Sequence, residues 1–105
     1  MRWIRNIFGT GPVTPKDDVR TRMDKDEEFS FFIEDSIKKY RNYTGGIVTR
    51  EEVDRNNIKP ASRHEKLYVC SYIYPVDKTK IFIITAINDD GTRTTTIVFD
   101  RKGIE

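Results

Sequence analysis

The single histidine and the single cysteine are the first residues to weigh for chemistry. His64 lies in the polar stretch SRHEK, and Cys70 follows six residues later inside LYVCSYIY. A cysteine–histidine nucleophile pair needs hydrogen-bond contact and a third group that orients the base. The residues that share a strand face with Cys70 are tyrosines. Cys70 therefore reads as a small packing hydrophobe, and His64 as a polar residue ahead of the strand. The acidic pairs Asp17/Asp18, Asp24/Asp26 and Asp89/Asp90 invite a metal reading. A calcium loop needs oxygen ligands at alternate positions and a closing glutamate. Around Asp89-Asp90-Gly91, Ala86 stands at the first of those positions and Ile97 at the last. The other acidic pairs fall at helix starts, where capping and the helix dipole account for them. No phosphate loop, dinucleotide fingerprint, nucleophile elbow or zincin motif is present. The expectation is no catalytic residue, no metal and no cofactor.

A second chemistry is charge with aromatic rings. Between Lys38 and Lys66 lie eight basic residues (Lys38, Lys39, Arg41, Arg50, Arg55, Lys59, Arg63 and Lys66) against four acidic ones. That surplus of four exceeds the net charge of +2 for the whole chain. Tyr40, Tyr43, Tyr68, Tyr72 and Tyr74 lie in or beside this segment. Basic side chains with stacking rings suit a single-stranded nucleic acid, which makes Lys38, Lys39, Arg41, Arg63, Lys66 and Tyr72 the candidate contacts. The pI of about 8.7 is low for a dedicated nucleic-acid domain, and LYVCSYIY lacks the glycine and leading basic residue of an RNA-recognition motif. This reading stands second.

The elements that must position these residues follow from periodicity. Trp3, Ile4, Ile7 and Phe8 recur at helical spacing in a short apolar segment, residues 1–12. GTGPVTP (9–15) is a breaker cluster and a hinge, and residues 13–25 read as a linker or short helix, with Thr14 at the N-cap and Pro15 in the first turn. Residues 26–105 read as one α+β domain. Phe29, Phe32, Ile33, Ile37 and Tyr40 mark a helix over 26–43, with acidic residues opening it, basic residues closing it and Gly45-Gly46 as its stop. TREEV (49–53) is a capping box. Three strands follow: Leu67–Tyr74, Lys80–Asn88 and Arg93–Asp100. The second is apolar at nearly all positions and reads as central. The threonines of the third suit an edge with one face in water. NDDGT is a tight hairpin with Gly91 supplying positive φ. The expected fold is two to three N-terminal helices packed on a three-stranded antiparallel β-meander.

LYVCSYIY then poses the functional question, because both of its faces are apolar or aromatic. Leu67, Val69 and Ile73 are expected to pack on the helix carrying Phe29, Ile33 and Ile37. Tyr68, Tyr72 and Tyr74 would then need another cover: the N-terminal segment, a second copy in a homo-oligomer, or a different protein. The expected function is a small non-enzymatic protein-binding module of adaptor or inhibitor type, of a size common among phage and mobile-element proteins. Its partner-binding residues would be Trp3, Ile7, Phe8, Tyr68, Tyr72 and Tyr74. One cysteine excludes an internal disulfide. No stretch approaches the roughly 20 apolar residues of a membrane span, and Arg5 and Asn6 interrupt the start of the chain where an export signal would be apolar. A cytoplasmic location is the expectation.

Overall fold

The computed structural model describes residues 10–101; Trp3, Ile7 and Phe8 lie outside them. Seven elements follow in order: β1 (Val13–Pro15), α1 (Asp17–Lys25), α2 (Glu27–Arg41), α3 (Arg50–Arg55), β2 (Lys66–Ile73), β3 (Lys80–Ile87) and β4 (Arg93–Phe99). The class is α+β. The sheet is four-stranded and mixed, in the order β1-β4-β3-β2, where three antiparallel strands were expected. β2, β3 and β4 form the meander, and β1 adds to β4 in parallel, with Val13 opposite Thr95 and Pro15 opposite Ile97.

β1 lies in the stretch that reads as a hinge, and its presence alters two local expectations. Thr14 is in the strand and caps no helix; Lys16 occupies the N-cap of α1 without a side-chain cap bond. Its N–H donates to the Ile97 carbonyl at 3.0 Å, so the backbone leaves the sheet directly into the helix. β4, expected at the edge, is interior. Its threonines serve the core: Thr85 and Thr95 are buried with their hydroxyls 2.8 Å apart. The Tyr40 hydroxyl lies 2.6 Å from Thr85 Oγ1, and the Thr95 hydroxyl donates to the Thr10 carbonyl at 2.6 Å. This buried chain of hydroxyls links α2, β3, β4 and residue 10. A satisfied network of this kind specifies one packing, because any shift strands a polar group.

α2 begins as its sequence implies, with the Asp26 carboxylate accepting from the Phe29 N–H at 3.1 Å. It ends differently. Tyr43, and not a glycine, takes the left-handed turn at φ 61°, and Gly46 instead pairs with Ser71 on the outer edge of β2. The capping box of α3 is complete: Glu52 N–H donates to Thr49 Oγ1 at 3.1 Å, and Thr49 N–H to Glu52 Oε1 at 2.9 Å.

The main core joins Val19, Phe29, Ile33 and Tyr40 of the helices to Cys70, Tyr72, Tyr74, Ile81, Ile83 and Ile97 of the sheet. The helices thus cover the tyrosine face of β2, the reverse of the expected assignment. Tyrosine can face a core when its ring fills the interlayer space and its hydroxyl finds an acceptor. Tyr72 does so by donating to the Thr44 carbonyl at 2.7 Å. Leu67, Val69 and Ile73 point to the other face together with Phe82, Ile84, Ala86 and Val98 of β3 and β4, as the pairing register requires. Phe82 and Ile58 are buried there, outside the main core. α3 and the turn after it therefore cover one part of this second face.

Candidate functional site

Two concave regions lie on the side of the sheet that α3 shares. A cleft of about 850 Å³ opens at the end of the sheet where β2 finishes and β3 begins. Ile47 and Ile73 line it, 89% and 54% exposed. Most of its charges are paired. Lys80 bonds Glu52, tying the first turn of α3 to β3. Arg55 grips Asp100 through both carboxylate oxygens at 2.9 and 3.0 Å. Arg22 reaches Asp77 at 2.7 Å and the Thr79 hydroxyl at 3.0 Å. A bidentate arginine–carboxylate pair holds geometry firmly. The arrangement clamps α1 and α3 to the sheet end, with Glu52 and Asp100 each held by a cation.

Those pairings carry a pH signature. The Lys80 hydrogen bond, followed by the Thr49 N–H, lowers the Glu52 pKa. Thr79 and then Arg22 bring Asp77 down to about 2. A carboxylate with a depressed folded pKa stabilises the fold fully above its unfolded value and loses that contribution as pH falls through the folded value. Thermal midpoints are expected to be flat in this respect above pH 5. They should fall from about pH 4.5 downward as Glu52 and Asp77 take up protons, by linkage. A melting series in acid buffers checks this, and Glu52→Gln should make the decline shallower.

The second region is a groove of about 1080 Å³ on the part of the second face that α3 leaves open. Leu67, Ile84, Ala86 and Val98 form its floor, all partly exposed, and Ile58 closes one side. Lys16, Asp17, Asp18, Lys59, Glu65 and Arg101 supply charged residues to its lining. An apolar floor with a charged rim is the general anatomy of a protein-contact surface.

The residues singled out in the sequence are distributed unevenly. Tyr72 and Tyr74 are 8% and 3% exposed, within the core beneath α2, and Tyr74 meets Phe29 edge-on at 5.3 Å. Tyr68 is half-buried, 5.3 Å from the Tyr40 ring and 6.3 Å from the Tyr43 ring. The Cys70 sulfur lies 3.5 Å from its hydroxyl, and the hydrogen bond between them, with burial, pushes the Tyr68 pKa up to about 12. Cys70 is buried in that contact, as its strand position suggested. His64 is exposed, 3.8 Å from Asp89. Lys38, Lys39, Arg41, Arg63 and Lys66 are all exposed. Lys39 pairs with Asp35 at 3.2 Å, and Arg41 reaches the Thr10 hydroxyl at 3.3 Å. The structure adds Tyr43, 49% exposed, and the groove floor. The signal for that floor was present in β3, whose apolar residues fall on both faces.

Among the described residues, no three His, Cys, Asp or Glu side chains come together as a metal site, and no helix is long and apolar enough to cross a membrane. Fold and surface define an α+β protein with a mixed four-stranded sheet covered by helices over most of one face and partly covered on the other. No protein family, curated protein or solved structure matches this chain.

Proposed function

We propose that this chain is a small, non-enzymatic protein-binding module of adaptor or inhibitor type. The observation that carries the reading is the half-covered second face of the sheet. Leu67, Ile84, Ala86 and Val98 are apolar, continuous and only partly shielded by α3 and Ile58. Surfaces of that kind mark interaction sites more often than single exposed apolar residues do. On this reading the binding surface lies opposite the tyrosine face. The N-terminal Trp3, Ile7 and Phe8 remain proposed contacts.

The test is a display library of natural protein fragments panned against the folded chain. Binders should be retained, and Ile84→Asp or Thr96→Lys should lower their retention at least tenfold while each variant keeps a cooperative melt. Binders indifferent to both substitutions would overturn the assignment to this face.

Nucleic acid is the second reading, and one observation favours it. The Tyr43 and Tyr68 rings sit beside the last turn of α2, which carries Lys38, Lys39 and Arg41. Tyr72, buried, cannot stack on a base. Affinity for an oligothymidylate that falls steeply with salt and with Tyr43→Ala would favour this reading; its absence at low salt would reject it.

A further inference from the structure

The two edges of the sheet are finished differently. β1 is three residues long and ends in Pro15, and short strands and proline both discourage further pairing. β2 is eight residues long and ends the sheet on the other side. Its even-numbered residues exchange main-chain bonds with β3, so its odd-numbered residues direct their N–H and C=O groups outward. At Ser71 that outward position is filled by the chain itself. Gly46 N–H donates to the Ser71 carbonyl at 2.9 Å, and Ser71 N–H to the Gly46 carbonyl at 3.2 Å. This is a one-residue strand addition, and it shows that the edge accepts extended backbone. At Leu67 and Val69 no such partner occurs among the described residues. The open edge therefore runs from about Glu65 to Cys70, and the Gly46 bridge stops it.

The surroundings of that edge select what would lie on it. On one side are the half-buried side chains of Leu67 and Val69, continuous with the groove floor. On the other are the Tyr68 and Tyr43 rings. A strand laid here would alternate its side chains between the two. The ring contacts between Tyr40, Tyr43 and Tyr68 also bring the basic end of α2 over the first half of β2. Arg63 and Lys66, just ahead of and at the start of β2, are exposed and make no ion pair among the described residues.

From this edge, its two apolar tracks and its unopposed charge, we propose that residues 65–70 of β2 take up an extended segment of a partner protein as a fifth strand. The segment alternates apolar residues and carries acidic ones. Main-chain bonds to Leu67 and Val69 supply the attachment, the tracks supply side-chain preference, and Arg63 and Lys66 supply charge complementarity. Strand addition to an exposed edge is a general mode of peptide recognition. The inference rests on the protein-binding reading and gives that reading its mode.

The experiment uses a random 12-residue peptide display library selected against the full chain, with amide hydrogen exchange as the structural readout. In the free protein, Leu67 and Val69 amides should exchange much faster than Tyr68, Cys70 and Ser71. Selected peptides should alternate apolar residues with acidic ones, and should slow exchange at Leu67 and Val69. N-methylation of one inward-bonding peptide amide should weaken binding about tenfold, the effect of losing one well-made hydrogen bond in a complex. Slow exchange at Leu67 and Val69 in the free monomer would overturn the proposal. So would selected peptides that tolerate N-methylation and instead lose binding to Ile84→Asp; that result would leave the protein-binding reading standing through the groove alone. Enrichment of no peptide at all would overturn both.

Discussion

Replacing Phe29 by alanine is expected to remove about 3–5 kcal/mol of stability, the range for truncating a fully buried aromatic side chain. Phe29 is completely buried. It meets Tyr74 edge-on at 5.3 Å, and the Phe32 and Phe99 rings at 5.8 and 5.9 Å. The Arg22 guanidinium lies 4.3 Å from its ring centre. One side chain thus joins α1, α2, the end of β2 and the end of β4. A small domain has roughly 5–15 kcal/mol in all, so the melting midpoint should fall by more than about 10 °C. Phe31→Ala is the control. Phe31 is 59% exposed, and its loss should stay within about 0.5 kcal/mol. Calorimetry of the two variants checks both. Similar small effects would mean that α2 does not bury the face described here.

Gly11→Ala is the second large effect, about 2–4 kcal/mol, combining left-handed strain with displacement of backbone. Gly11 has φ 63°, and a Cβ there would stand 2.0 Å from the Arg93 carbonyl oxygen. The neighbour is backbone of an interior strand and cannot swing aside. To admit a methyl group, the chain must withdraw from β4. The Thr95 N–H to Pro12 carbonyl bond at 3.0 Å and the Thr95 hydroxyl bond to Thr10 would go with it. Gly91→Ala makes the contrast. Gly91 also has positive φ, 86°, but open space surrounds its Cβ direction. It should show only the conformational cost, about 1–2 kcal/mol. Denaturant melts give the totals. Exchange at the Thr95 amide should rise selectively in Gly11→Ala. An unchanged Thr95 amide would show that β1 is not held as described.

Much of the fold was legible because it depends on neighbours in sequence. The capping box at Thr49 and Glu52, the acidic start of α2 and the Gly91 hairpin each rest on contacts within a few residues. Periodicity marked the strands of the meander, and the continuous apolar run of Lys80–Asn88 marked β3 as interior. β1 was not legible. Three residues in a breaker cluster carry no periodic signal, and Val13-Thr14-Pro15 becomes a strand only because β4 offers a parallel edge. The orientation of β2 was not legible either. Leu67/Val69/Ile73 and Tyr68/Tyr72/Tyr74 are both fit to be buried, so hydrophobicity alone selects neither.

The amino-acid sequence by itself therefore determined that this protein has an α+β fold, where α2, α3 and the three meander strands lie, and that β2 would be apolar on both sides. Only the tertiary structure decided which side the helices take. Tyrosines are accepted in the core because Thr44, Thr85 and Cys70 come within hydrogen-bond reach of the Tyr72, Tyr40 and Tyr68 hydroxyls. Those partners lie 28 and 45 residues away for Tyr72 and Tyr40, and two residues along the same strand face for Tyr68. The open surface is then the aliphatic one, with the open outer edge of the first half of β2 beside it. Its position follows from where α3 and Gly46 stop, which is a property of packing that no local pattern carries.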